Sequence, residues 1–212
     1  MAYKFLDIVS TPAVRAAQEA NGARKMWETF EQDRAFDRFT ANEAAFIAAR
    51  DSFFLATVSQ SGWPYVQHRG GPQGFLKLLD DQTLAFADFR GNRQYISLGN
   101  AADDDRVSLI LMDYPQRARL KILARMQARD LAVDPELAAR LALPGYKAKI
   151  ERAFVLRLET FDWNCAQHIT PRYTAPEIET AVAPLRSQLA ALEAENRALR
   201  AQLAANSHEN RT

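Results

Sequence analysis

The chain has a single cysteine, Cys165, among 212 residues. No internal disulfide can form, so the fold must be held by burial, and the sequence reads as suited to a reducing cytoplasm. Histidine is scarce too. His68, His168 and His208 are scattered, and Cys165 with His168 lacks the second pair that a four-ligand zinc site needs, so no metal is expected. A Cys/His nucleophile pair would also need an orienting third group, and none is marked. The few glycines spell no Walker loop, no dinucleotide-binding G-x-G-x-x-G and no G-x-S-x-G elbow. Net charge is only +1, without the basic excess that non-specific binding to nucleic acid or an anionic membrane requires. No apolar run reaches membrane-spanning length, and Met1–Phe5 does not begin a secretory leader. The remainder is 48% hydrophobic and 25% charged, ordinary for a globular chain with room for one domain and an appendage.

The hydrophobic period divides the chain into stretches. Residues 1–50 read as helical: Pro12 suits a first turn, Asn21-Gly22 is a stop, and Thr40-Ala41-Asn42-Glu43 has capping-box spacing ahead of a helix to Arg50. From Phe53 the period becomes two. Strands are expected at Phe53–Ser59, Tyr65–Arg69, Phe75–Leu79, Thr83–Asp88, Arg106–Tyr114, Arg119–Arg125 and Arg152–Phe161, with short helices after Arg93 and at Asp134–Leu141. Asp80-Asp81-Gln82 reads as a hairpin turn. Antiparallel strands at such short spacing, with few helices between them, point to a small barrel over residues 51–174.

Two segments place arginine beside glycine at the ends of strands: Tyr65–Gly71 and Ala87–Arg93. Glycine lets backbone N–H groups approach a ligand, arginine offers a planar donor fork, and a helix start after Arg93 adds unpaired N–H groups at a positive dipole end. An anion, specifically the phosphate of a cofactor, is expected at residues 90–93, with a flat ring over residues 66–70. The competing reading is that these are plain turns with solvated arginines.

The order Trp63–Pro72, Gly74–Lys77, Ala87–Arg93, Gly99-Asn100 and Phe161–Arg172 resembles a bacterial branch of the pyridoxamine 5'-phosphate oxidase-like proteins, the FMN-binding split barrels. The resemblance covers roughly residues 1–178. It implies a mainly β (α+β) fold: a six-stranded antiparallel split barrel with N-terminal helices and a long C-terminal helix. It also implies a homodimer with FMN at the subunit interface and oxidoreductase activity on a small molecule. Residue by residue, it assigns Val66, Gln67, His68, Arg69 and Gly70 to the ring and Ala87, Asp88, Arg90, Asn92 and Arg93 to the phosphate. Arg119 is implied near the flavin, with Trp163 and Gln167 reaching the ring from the partner subunit. The arginine-histidine-aspartate-arginine run with which the true oxidase holds its substrate phosphate is missing here, so another substrate is expected. A non-catalytic flavin, haem or deazaflavin carrier or redox sensor stands as the alternative.

The tail lies outside that resemblance. Leu185, Leu192 and Leu199 recur every seven residues, with Val182, Leu189, Asn196 and Leu203 in the other seam position. Residues 175–205 are expected as a helix, either a short coiled coil or a helix laid on the barrel, and residues 206–212 as a frayed end.

Overall fold

A computed structural model of the chain describes residues 3–28, 30, 35–164 and 166–209, the side chains of 204–209 excepted. Cys165, the side chain of His208 and residues 210–212 therefore lie outside the described residues. Residues 1–169 and 170–212 form two separate units.

The first unit opens with four helices: α1 (Lys4–Val9), α2 (Pro12–Ala20), α3 (Arg24–Glu28) and α4 (Ala41–Ala48). Thr11 caps α2 by accepting from the Val14 N–H, and Pro12 occupies the first turn, where a missing donor costs nothing. The capping box ahead of α4 is present: the Thr40 N–H donates to Glu43 Oε2 at 2.9 Å. Glu43 is fully buried, and its other oxygen accepts from Trp163 Nε1 at 2.8 Å. The cap thus ties the helix to the end of the last strand.

Among the described residues seven strands follow: β1 (Ser52–Val58), β2 (Pro64–Gly70), β3 (Lys77–Asp80), β4 (Thr83–Phe89), β5 (Arg106–Asp113), β6 (Ala118–Arg129) and β7 (Ile150–Asn164). α5 (Ile96–Asp103) lies between β4 and β5, and α6 (Pro135–Leu141) between β6 and β7. All pair antiparallel, in the order β2-β1-β5-β6-β7-β4-β3. The count corrects the six strands implied by the resemblance. The short strand β3 hydrogen-bonds to β4 across the Asp80-Asp81-Gln82 turn, where the Gln82 N–H donates to Asp80 Oδ1 at 2.8 Å, and so adds a seventh.

Alternation along the strands builds the interior. Phe53 and Leu55, Leu109 and Leu111, Leu120 and Ile122, and Phe154 and Leu156 all turn inward, joined by Phe75 and Phe86. Phe53 stacks on Phe75 at 5.6 Å and meets the edge of Phe86 at 5.2 Å, so β1 and β4 touch across the interior although three strands separate them in the sheet. The sheet is therefore rolled. β4 is buried on both faces from Leu84 to Asp88, because α6 covers Ala85 and Ala87 from outside with Leu137 and Leu141. This explains its unbroken apolar run.

The second unit, from Thr170, contains one helix, α7 (Ala175–Glu209), which continues through Pro184. Among the described residues, no helix is long and apolar enough to cross a membrane.

Candidate functional site

The roll of the sheet leaves a gap. β3 pairs with β4 only from Thr83 to Ala85, so the free edge of β4 from Phe86 onward carries no strand partner. β2 is the first strand of the order and likewise has one unpaired edge. These bare edges face each other, and side chains bridge them. Arg69 Nη1 donates to Asp88 Oδ1 at 2.8 Å, and Arg152 of β7 donates to Asp88 Oδ2 at 3.0 Å. Arg152 reaches Asp88 because the register puts the two residues opposite each other. All three side chains are largely buried, and the Arg69 guanidinium lies over the rings of Phe86 and Phe154. Arg69 Nε is nevertheless buried with no hydrogen-bond partner among the described residues. A buried N–H without an acceptor is costly, and it marks a place where a ligand oxygen or water belongs.

Two adjoining cavities occupy the gap. The first, of about 160 Å³, lies between Gln67 and Arg69 on one side and the loop from Gly91 to Tyr95 with the start of α5 on the other. The second, of about 270 Å³, continues along His68 to Gly70 and is walled by Phe89 and Tyr146. The loop between them is held in an uncommon shape. Arg93 and Tyr95 both have left-handed backbone, with φ of 63° and 53°. Such residues are a few per cent of non-glycine positions and gather at ligand clamps. Tyr95 is the residue that starts α5, and among the described residues its side chain does not cap that end, so the first N–H groups of the helix lack the usual side-chain acceptor. Ser97, fully buried in the first turn, donates to Gln67 at 3.0 Å and joins the helix to β2.

Charge in the gap is positive. Arg90 donates to Glu151 at 2.8 Å, Tyr95 donates to the same carboxylate at 3.2 Å, and Arg152 lies over the Tyr95 ring. The Arg90 bond holds the Glu151 carboxyl below its usual range, so it stays ionised. The Tyr95 hydroxyl beside it raises Arg93 above its ordinary value, so its guanidinium stays charged. Within this network four guanidinium groups (Arg69, Arg90, Arg93 and Arg152) face two carboxylates (Asp88 and Glu151), leaving an excess of two positive charges. Together with the uncapped helix start, the arrangement can hold a dianion.

Nine of the residues assigned from sequence meet here: Gln67, His68, Arg69, Gly70, Ala87, Asp88, Arg90, Asn92 and Arg93 line the two cavities. Four do not, within one copy of the chain. Val66 is 61% exposed on the outer face of the sheet. Arg119 is on β6, with its Nε buried and without a hydrogen-bond partner among the described residues. Trp163 is wedged edge-on against Phe46, with its N–H spent on Glu43. Gln167 is in the exposed turn after β7. Gly71, read beside the arginines, is needed for packing: an added Cβ would come within 2.8 Å of the Phe75 ring. Gly91 has open space where a side chain would stand. Sequence reasoning missed Glu151, Arg152, Tyr95 and Ser97 as site residues. The signal was a charged pair, Glu151-Arg152, opening an otherwise apolar strand. Among the described residues no group of three or more His, Cys, Asp or Glu is arranged to hold a metal.

The sequence matches the family model for pyridoxamine 5'-phosphate oxidase over residues 39–162, more than half of the chain. The chain belongs to the pyridoxamine 5'-phosphate oxidase family. Its matched region runs from Phe39, just before α4, to Asp162 in β7, and includes both sides of the gap. A search of the curated proteins found no match. Solved structures with similar folds include a candidate pyridoxamine 5'-phosphate oxidase from Lactobacillus delbrueckii (20% identity, 59% of this chain and 94% of that one, TM-score 0.45). Others are an FMN-binding protein from Syntrophomonas wolfei (16%, 72% and 95%, 0.43) and an F420 reductase (19%, 55% and 93%, 0.39). At these scores the structural likenesses add no argument beyond the family match.

Proposed function

We propose that this member of the family is an FMN-binding flavoprotein, an oxidoreductase acting on a small molecule, that works as a homodimer. The observation that carries the reading is the excess of two guanidinium charges in the network that bridges the gap, whose most buried arginine, Arg69, has an Nε–H with no partner among the described residues. A phosphate monoester carries a charge of about −2 at neutral pH and accepts several N–H bonds at once, which is what this end of the gap offers. In this reading Arg93, Asn92, the Gly91 backbone and the start of α5 hold the phosphate, while Arg69 on the opposite edge faces the ring. The ring follows the second cavity along Gln67, His68, Arg69 and Gly70, where the bare edge of β2 offers backbone donors and acceptors to the rim of a heterocycle.

When bound, FMN supplies hydride transfer at its N5. Arg69, whose buried Nε–H has no partner among the described residues, or Arg119 contributed by the second copy, is the cation assigned to the electron-rich edge of the ring. The homodimer is supported by the outer face of β1 and β2, where Phe54, Val58 and Val66 are exposed side by side. An apolar face of that kind suits a second copy of the chain. Trp163 and Gln167 are then assigned to the partner's cofactor.

Purification tests the proposal directly. A yellow protein with flavin absorption and about one FMN per chain is expected, with weaker binding of a deazaflavin. A colourless protein that takes up no FMN on reconstitution would end the reading. FMN retained without any turnover of NADH or NADPH would leave a carrier in place of an oxidoreductase.

A further inference from the structure

α7 carries a pattern that the flavin reading does not use. Along the helix Leu185, Leu189, Leu192 and Leu199 form one stripe, and each is between 50% and 64% exposed. Their spacing alternates four and three residues, the a/d seam of a coiled coil, with Val182 before them and Leu203 after. A single amide, Asn196, interrupts the stripe at an a position. The edges of the stripe are polar: Arg186, Glu193 and Arg200 at e, and Gln188, Glu195 and Gln202 at g. Pro184 falls at c, off the stripe, and its missing N–H sets the upstream limit of a regular seam.

We propose that residues 185–203 of α7 pair with the same residues of a second copy as a parallel, in-register, two-stranded coiled coil. Three features select this occupant. In a parallel pair each g residue meets the e residue five positions on in the partner, which sets Glu195 against Arg200 and Gln188 against Glu193, with no like-charged pair. In register, Asn196 faces Asn196 and each amide finds its own kind. A slip of one heptad would bury that amide against leucine without a partner. Leucine fills every d position, and the lone asparagine at a is the kind of buried polar residue that fixes register and strand number at some cost in stability. This inference does not depend on the flavin site.

Cysteine cross-linking of the full-length protein tests it. In a Cys165→Ser background, Leu189→Cys and Asn196→Cys place a thiol in the seam, and Ala201→Cys places one at f, on the far side of the helix. Under mild oxidation both seam variants are expected to form disulfide-linked dimers at least tenfold faster than Ala201→Cys. A dimer made by the barrel alone would bring tails together without that preference. Equal rates at 196 and 201 overturn the proposal. So does linking at only one of 189 and 196, the result for an antiparallel pair, and so does no linking at either, the result for a helix that is alone or covered by another partner.

Discussion

Replacing Asp88 by asparagine tests the bridge across the gap. Asp88 is 6% exposed and accepts from Arg69 at 2.8 Å and from Arg152 at 3.0 Å. Asparagine keeps the shape and removes the charge, so two largely buried guanidinium groups lose the anion they share. Removing one partner of a buried pair costs about 3–5 kcal/mol, because the remaining charge is left uncompensated. In a chain of this size that lowers the melting temperature by roughly 6 °C or more. The same change raises the positive excess in the cavity from two to three. For an anion roughly 7 Å away at an effective dielectric near 20, the lost repulsion is worth about 2 kcal/mol. Anion binding should therefore tighten by on the order of thirtyfold. The assay is thermal unfolding of wild type and Asp88→Asn without and with inorganic phosphate. The variant should melt lower alone and gain more from phosphate than wild type does. A melting point within about 2 °C of wild type would show that the bridge holds nothing together. A smaller phosphate effect in the variant would refute the anion site.

Arg93→Ala should weaken FMN binding by on the order of tenfold, through loss of a charge-assisted contact, while leaving the fold intact; equilibrium titration measures it, and unchanged affinity removes Arg93 from the phosphate site. Trp163→Phe keeps the ring against Phe46 but takes a donor from the fully buried Glu43, and should cost about 1–3 kcal/mol in urea unfolding; a smaller loss would mean water replaces the indole. Burial, and then the hydrogen bond to Asp162, hold the Tyr3 phenol protonated far above its ordinary value of 10.0. The unfolded chain loses that proton first, so the contribution of Tyr3 to stability should be level below about pH 10 and fall above it. Tyr3→Phe should flatten that fall, and an identical alkaline profile in the variant would count against the contact.

How much of this was legible in the sequence depends on how local each feature is. The strands were readable because alternation is local, and the capping box at Thr40 because its partners are three residues apart. Strand ends were not. β6 runs to Arg129 and β7 from Ile150 to Asn164 because the two extend each other in a long ladder, bent at the irregularity between Leu123 and Ala124. β3 begins at Lys77, not Phe75, because Gly74 turns the chain at φ 74° and the Phe75 ring is drawn into the core against Phe53. The Arg/Gly segments were visible as a pair, yet the ion partners were not. That Arg90 is engaged by Glu151, and Asp88 shared with Arg152, follows from a register between strands some sixty residues apart.

The short length of β3 has a further consequence. Continued a few residues in the direction of Phe75, it would run beside Phe86–Phe89 and pave the wall over. The chamber exists because a hairpin arm stops early, so its size is an adjustable property of one loop. Grafting residues that prolong the arm should narrow the gap and leave less room for a guest.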